Sequence, residues 1–207
     1  MAEMTAAAHD HGHDDAHLKK EMENKKLGMW IYIASEVVIF AIMIAGYIIF
    51  RLNEPDSVKQ IHQSLGIALV TANTFVLLMS SWTMVMALRA IQMNRRGEFM
   101  RWMAAVCALG TVFLAGQYIE YRELAHLEVT LDALHPEFLG FGMRFYAPTA
   151  FHGAHVLIGV LIGLHILWLG RKGHYDNGRW IYVELFGLYW HFVDIVWIFL
   201  FTIIYLV

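Results

Sequence analysis

The chain has 207 residues, of which 58% are hydrophobic and 16% charged, with a formal net charge of −3. Soluble domains run near 45–50% and 25%, so this composition excludes a soluble domain with one core and predicts an all-α, polytopic membrane protein. The lone cysteine, Cys107, stands in an apolar run. It excludes a disulfide within the chain and reads as a small buried residue.

Residues 1–26 form a polar tail with His9, His11, His13 and His17 among Asp10, Asp14 and Asp15, followed by Lys19, Lys20, Lys25 and Lys26. Such a tract can hold zinc or copper, although its composition equally suits a solvated, disordered tail. The acidic and imidazole groups do not read as a signal peptide, which needs a basic segment and a short apolar core.

Five apolar spans follow, at about 28–50, 64–90, 99–122, 142–169 and 179–206. Each is near or above the roughly 20 residues that cross a bilayer as a helix. They are joined by segments at 51–63 (with Pro55), 91–98, 123–141 (with Pro136) and 170–178. Residues 27–207 therefore read as one five-helix domain, without an internal repeat. The basic residues divide unevenly between the two sides. Arg89, Arg95, Arg96, Arg101, Arg171, Lys172 and Arg179 join the four tail lysines on one side, against Arg51, Lys59, Arg122 and Arg144 on the other. That imbalance predicts a cytoplasmic N-terminus and an external C-terminus. Gly159-x-x-x-Gly163 in span 4 and Thr71, Thr74 and Ser81 on one face of span 2 predict close helix contact and a hydroxyl seam.

Span 1 carries Glu36 about eight residues, or ~12 Å, inside its cytoplasmic end. In hydrocarbon the cheaper form of such a group is a hydrogen-bonded neutral acid. It reads as a proton-exchanging or lipid-contacting group, or as a polar bridge between helices. Span 3 ends in Gln117, Tyr118, Glu120, Tyr121, Arg122 and Glu123, which suits an interfacial belt. Span 4 holds His152 and His155, which share a face at a spacing of three, and His165 further on. Span 5 holds Glu184, His191 and Asp194 within about 80° of one another on the helical wheel. Ionisable groups in lipid cost roughly 2.5–3.5 kcal/mol each, so this stripe must face other helices, water or headgroups. The reading from the residues is a hydrogen-bonded cluster joining spans 4 and 5. Haem b ligation by His152, His155, His165 and His191 is one alternative, and ion carriage through Glu36 and Asp194 is another. No nucleophile–base triad, phosphate loop or nucleic-acid site is legible in the sequence.

The motifs resemble subunit III of the haem–copper respiratory oxidases in its short five-helix form, across all five spans. The resemblance is carried by Gly28-Met29-Trp30 with Ser35-Glu36, by Asn73-Thr74, and by Gln117, Glu120 and Tyr121. Its most specific parts are Phe151-His152-Gly153-Ala154-His155-Val156-Leu157-Ile158-Gly159, and Glu184 with Tyr189-Trp190-His191-Phe192-Val193-Asp194-Ile195-Val196-Trp197. It implies an accessory subunit without a redox centre, in a bacterial plasma membrane. Such a subunit packs on a catalytic subunit I that holds haem and copper, reduces oxygen to water and pumps protons, with subunits II and IV as further partners. It also implies bound phospholipid and support of proton uptake. The family's span 1 carboxylate falls on Glu36, and its histidines and acids of spans 4 and 5 fall on His152, His155, Glu184, His191 and Asp194. The two N-terminal helices of the long form have no counterpart here. Five helices and a histidine-rich tail look most like bo-type quinol oxidases; short third subunits also occur in cytochrome c oxidases and in relatives linked to nitric oxide reductase.

Overall fold

The computed structural model describes residues 2–55, 66–126, 141–175 and 180–206, with side chains from residue 20 onward except at 141. The side chains of His9, His11, His13, His17 and Lys19, and the residues Lys59, Pro136 and Arg179, lie outside the described residues. The metal reading of the tail therefore falls outside them too.

Five helices account for the architecture: α1 (Ala2–Asn53), α2 (Ile67–Gln92), α3 (Arg96–His126), α4 (Phe141–Arg171) and α5 (Ile181–Leu200). All five contain a stretch long and apolar enough to cross a membrane, and no strand occurs among the described residues. In hydrocarbon only intrahelical hydrogen bonds satisfy the backbone of a single span, so apolar runs of this length form helices. The first helix is longer than the apolar run predicts. It continues back through the polar segment, where alanine, glutamate, methionine and lysine are good helix formers and Glu21 pairs with Lys25 one turn on at 2.8 Å.

The helix ends follow local chemistry. Asn94 (φ 56°) ends α2 and Gly173 (φ 76°) ends α4 in the left-handed region. In each case the next amide bonds back five residues, Arg95 N–H to the Ala90 carbonyl at 2.9 Å and His174 N–H to the Leu169 carbonyl at 3.2 Å. Both are Schellman closures, which use asparagine or glycine because other side chains resist positive φ. The α2–α3 connection is therefore shorter than the predicted 91–98 loop. On the same side of the bundle, the Arg96 guanidinium donates to the Arg171 carbonyl and ties the start of α3 to the end of α4.

Helices α2, α3, α4 and α5 pack in a closed ring, α2 on α3, α3 on α4, α4 on α5 and α5 on α2. Helix α1 lies outside this ring against α4 and α5. The interior of the ring is aromatic, with Trp190, Trp197, Phe99, Phe113 and Phe145 almost wholly buried. Glycines make room for it. A Cβ at Gly159 would come within 2.6 Å of the Trp190 ring, and one at Gly110 within 2.8 Å. Gly163 likewise faces Cys107 and Phe186, so the predicted Gly-x-x-x-Gly face is a true close approach.

At its C-terminus α5 widens into a π-helical segment, Phe201–Leu206. The loosened carbonyls there take donors from α1. Tyr47 donates its hydroxyl to the Ile204 carbonyl at 3.5 Å, and Arg51 donates to the Ile203 carbonyl at 3.4 Å. Lys26 pairs with Glu184 at 2.7 Å near the other end. Polar contacts thus fasten α1 to α5 at both ends.

A candidate proton-holding pair and the buried polar seams

Glu36 and His155 meet where α1 crosses α4. The carboxyl Oε2 lies 3.3 Å from Nε2 of the imidazole, with side chains 12% and 8% exposed, a close approach without an aligned hydrogen bond. The other ring nitrogen, Nδ1, lies 2.8 Å from the Phe151 carbonyl one turn back. A carbonyl oxygen only accepts, so Nδ1 carries a hydrogen and Nε2 of the neutral ring is an acceptor. The Glu36 carboxyl therefore faces the acceptor nitrogen of the neutral ring.

The surroundings are aromatic. Phe151, Phe40 and Tyr189 hold the His155 ring at centroid distances of 4.7, 5.4 and 6.4 Å, and the Tyr189 hydroxyl donates to the His155 carbonyl at 2.8 Å. Tyr32, one turn before Glu36, stacks on Tyr189 at 6.4 Å. Both tyrosines also line a largely apolar cavity of about 560 Å³ between α1, α4 and α5. His165, Tyr182 and His174 border the same cavity.

The remaining polar residues of spans 4 and 5 do not join this pair. The single cluster expected from the sequence is divided among separate partners. His152 is fully buried, stacked on Trp197 at 4.8 Å and edge-on to Phe113 at 5.7 Å. Neither of its ring nitrogens has a hydrogen-bond partner among the described residues. His191 turns to α2, where its Nδ1 lies 2.6 Å from the Ser81 hydroxyl. Asp194 lies beside the same serine, 4% exposed. Glu184 serves the Lys26 ion pair. Glu120 is buried, 3% exposed, and lies against the Tyr205 hydroxyl of the π-helical segment. His165 is exposed and stands apart from the pair, on the border of the cavity.

The hydroxyl seam of α2 is real but differently built. Thr71 bonds back to its own helix at Ile67. Thr74 accepts the indole N–H of Trp197 at 2.9 Å, and Ser80 accepts that of Trp190 at 3.0 Å. Ser80 carried no signal beyond its hydroxyl. The two tryptophans of span 5 could have suggested that their N–H groups need acceptors on a hydroxyl-bearing helix, since buried indoles find one. Gln117, from α3, donates to the Thr149 carbonyl at 2.8 Å and Tyr121 donates to the Thr149 hydroxyl at 2.8 Å. Pro148 precedes that threonine inside α4 and leaves the turn short of one backbone donor.

Among the described residues no three His, Cys, Asp or Glu side chains converge as a metal-binding group. The arrangement brings an acid and an imidazole together at Glu36–His155, beside a largely apolar cavity.

The sequence model of the family "Cytochrome c oxidase subunit III" matches residues 3–207. A cytochrome c oxidase subunit 3 from Synechocystis sp. is 36% identical over 197 residues, covering 95% of this chain and 78% of that protein. A protein of the same name from Thermostichus vulcanus is 32% identical over 211 residues, covering 98% and 94%. A probable quinol oxidase subunit 3 from Staphylococcus aureus is 28% identical over 187 residues, covering 90% of each. With five membrane-spanning helices and a match along nearly its whole length, the chain belongs to the cytochrome c oxidase subunit III family, accessory subunits of the haem–copper oxidases.

Proposed function

We propose that this chain is the accessory subunit of a proton-pumping terminal oxidase in a bacterial plasma membrane, and that its own contribution is to hold protons and lipid beside the catalytic subunit. Haem and copper belong to that partner, and the oxygen chemistry is done there. The N-terminus is cytoplasmic, as the basic residues on that side favour, and subunits II and IV complete the assembly.

The observation that supports this reading is the meeting of Glu36 and His155 at 3.3 Å where α1 crosses α4. An acid facing an imidazole can take up a proton and release it again, the charge of the pair changing by one each time. Near the cytoplasmic half of α1, it is suited to relaying protons toward a neighbour that consumes them. The cavity beside Tyr32 and Tyr189 has an apolar lining suited to phospholipid chains, which would keep water from short-circuiting the relay. His152, Glu120, Glu184, His191 and Asp194 serve as supporting polar contacts.

In the purified oxidase, Glu36→Gln should leave the haem absorption spectrum unchanged and shorten the lifetime of activity severalfold during sustained turnover. Equal lifetimes for the variant and its parent would rule out a role for the carboxyl. The absorption spectrum of the isolated chain is a second check, since a haem b protein would be coloured.

A further inference from the structure

The seam between α2 and α5 contains a polar pair at an expensive depth. His191 lies ten residues into α5, about 15 Å from its start, and Ser81 lies eleven residues before the end of α2, about 17 Å from the same side. Both are therefore near the middle of a hydrocarbon layer about 30 Å thick. Ser81 and His191 are only partly buried, and their contact occupies Nδ1. No hydrogen bond of Nε2 is found among the described residues. Acyl chains offer such a nitrogen nothing, and a polar group left without a partner in hydrocarbon is costly.

The outward face of α4 is different. Leu157, Leu161 and Leu164 stand 49%, 58% and 47% exposed there, and apolar residues of this kind are at home against lipid. Around the Ser81–His191 pair, exposed Leu78, Val85, Ile195 and Ile198 form an apolar frame with one hydrogen-bonding point at its centre. That is the pattern of a helix–helix contact in a membrane, where packing gives area and one polar group gives register.

We propose that this seam is the docking surface for a transmembrane helix of the catalytic subunit. That helix would meet His191 Nε2 with a hydrogen-bonding side chain, or with a carbonyl freed by a kink, at the middle of the membrane. The inference rests on the accessory-subunit reading and adds the face through which the two chains join.

The test uses the assembled oxidase purified in mild detergent. A benzophenone amino acid replaces Ile198 at the seam or, as a control, Leu161 on α4. After illumination, Ile198 should yield an adduct that mass spectrometry assigns to a transmembrane segment of the catalytic subunit, and Leu161 should yield lipid adducts. Independently, His191→Phe should reduce retention of the chain on the complex severalfold, with His191→Gln restoring most of it. Lipid adducts alone at Ile198, or catalytic-subunit adducts at Leu161 instead, would overturn the docking face while leaving the accessory role intact. Failure of the parent chain to purify with a haem-bearing subunit would overturn both.

Discussion

Helices α1 and α5 are neighbours of similar apolarity, yet they are held in opposite ways. In the most apolar stretch of α1 only 17% of residues are buried, against 56% for α5. Helix α5 is gripped by shape: Trp190 fills the space that Gly159 and Gly110 leave open, and Trp197 is almost wholly buried. Helix α1 is held by polar tethers, Lys26 to Glu184, Glu36 to His155, Tyr47 and Arg51 to the last carbonyls of α5. Since lipid is as apolar as leucine, a helix in a membrane gains little from burying oily area as such. Tight packing is one source of hold and hydrogen bonding is the other. The difference places Glu36 on the less tightly packed helix.

The comparison is broken most severely at Trp190. Trp190→Ala removes a ring packed against α3 and α4 and should cost about 3 kcal/mol or more, by the cavity left behind. Thermal unfolding of the complex should show release of this subunit at a clearly lower temperature. A smaller effect is expected from the tethers. Arg51→Ala combined with Tyr47→Phe should cost about 1 kcal/mol per lost bond, and hydrogen exchange should quicken in the second half of α1 and in 201–206 while α2–α4 stay protected. Uniform quickening through all helices would mean that α1 is integral to the ring. The smallest effect belongs to Lys26→Ala. Its ion pair is partly exposed, so the loss should stay below about 1 kcal/mol and vanish in high salt.

The spans were legible because a bilayer demands a length and an apolarity that a sequence displays directly. The polar partners were not. His152 and His155 are three residues apart and differ by about 60° around α4, which looks like one face. That angle happens to straddle the boundary between two neighbours, so His152 enters the ring against Trp197 while His155 turns out to α1. Glu120 had an interfacial look because tyrosines and charges surround it in sequence. Its burial depends on the π-helical widening of α5, which moves Tyr205 over it, and no local pattern announces that. Ser81 was recognised as part of a seam, but its imidazole partner comes from 110 residues further along.

The position of α1 outside the ring also bears on how the protein is made. Translation delivers this helix well before the helices it rests on, α4 and α5. Until they arrive, its glutamate has no imidazole to face and its C-terminal arginine no carbonyls to cap. The growing chain must therefore park its first segment in the lipid and complete the other four before it can close.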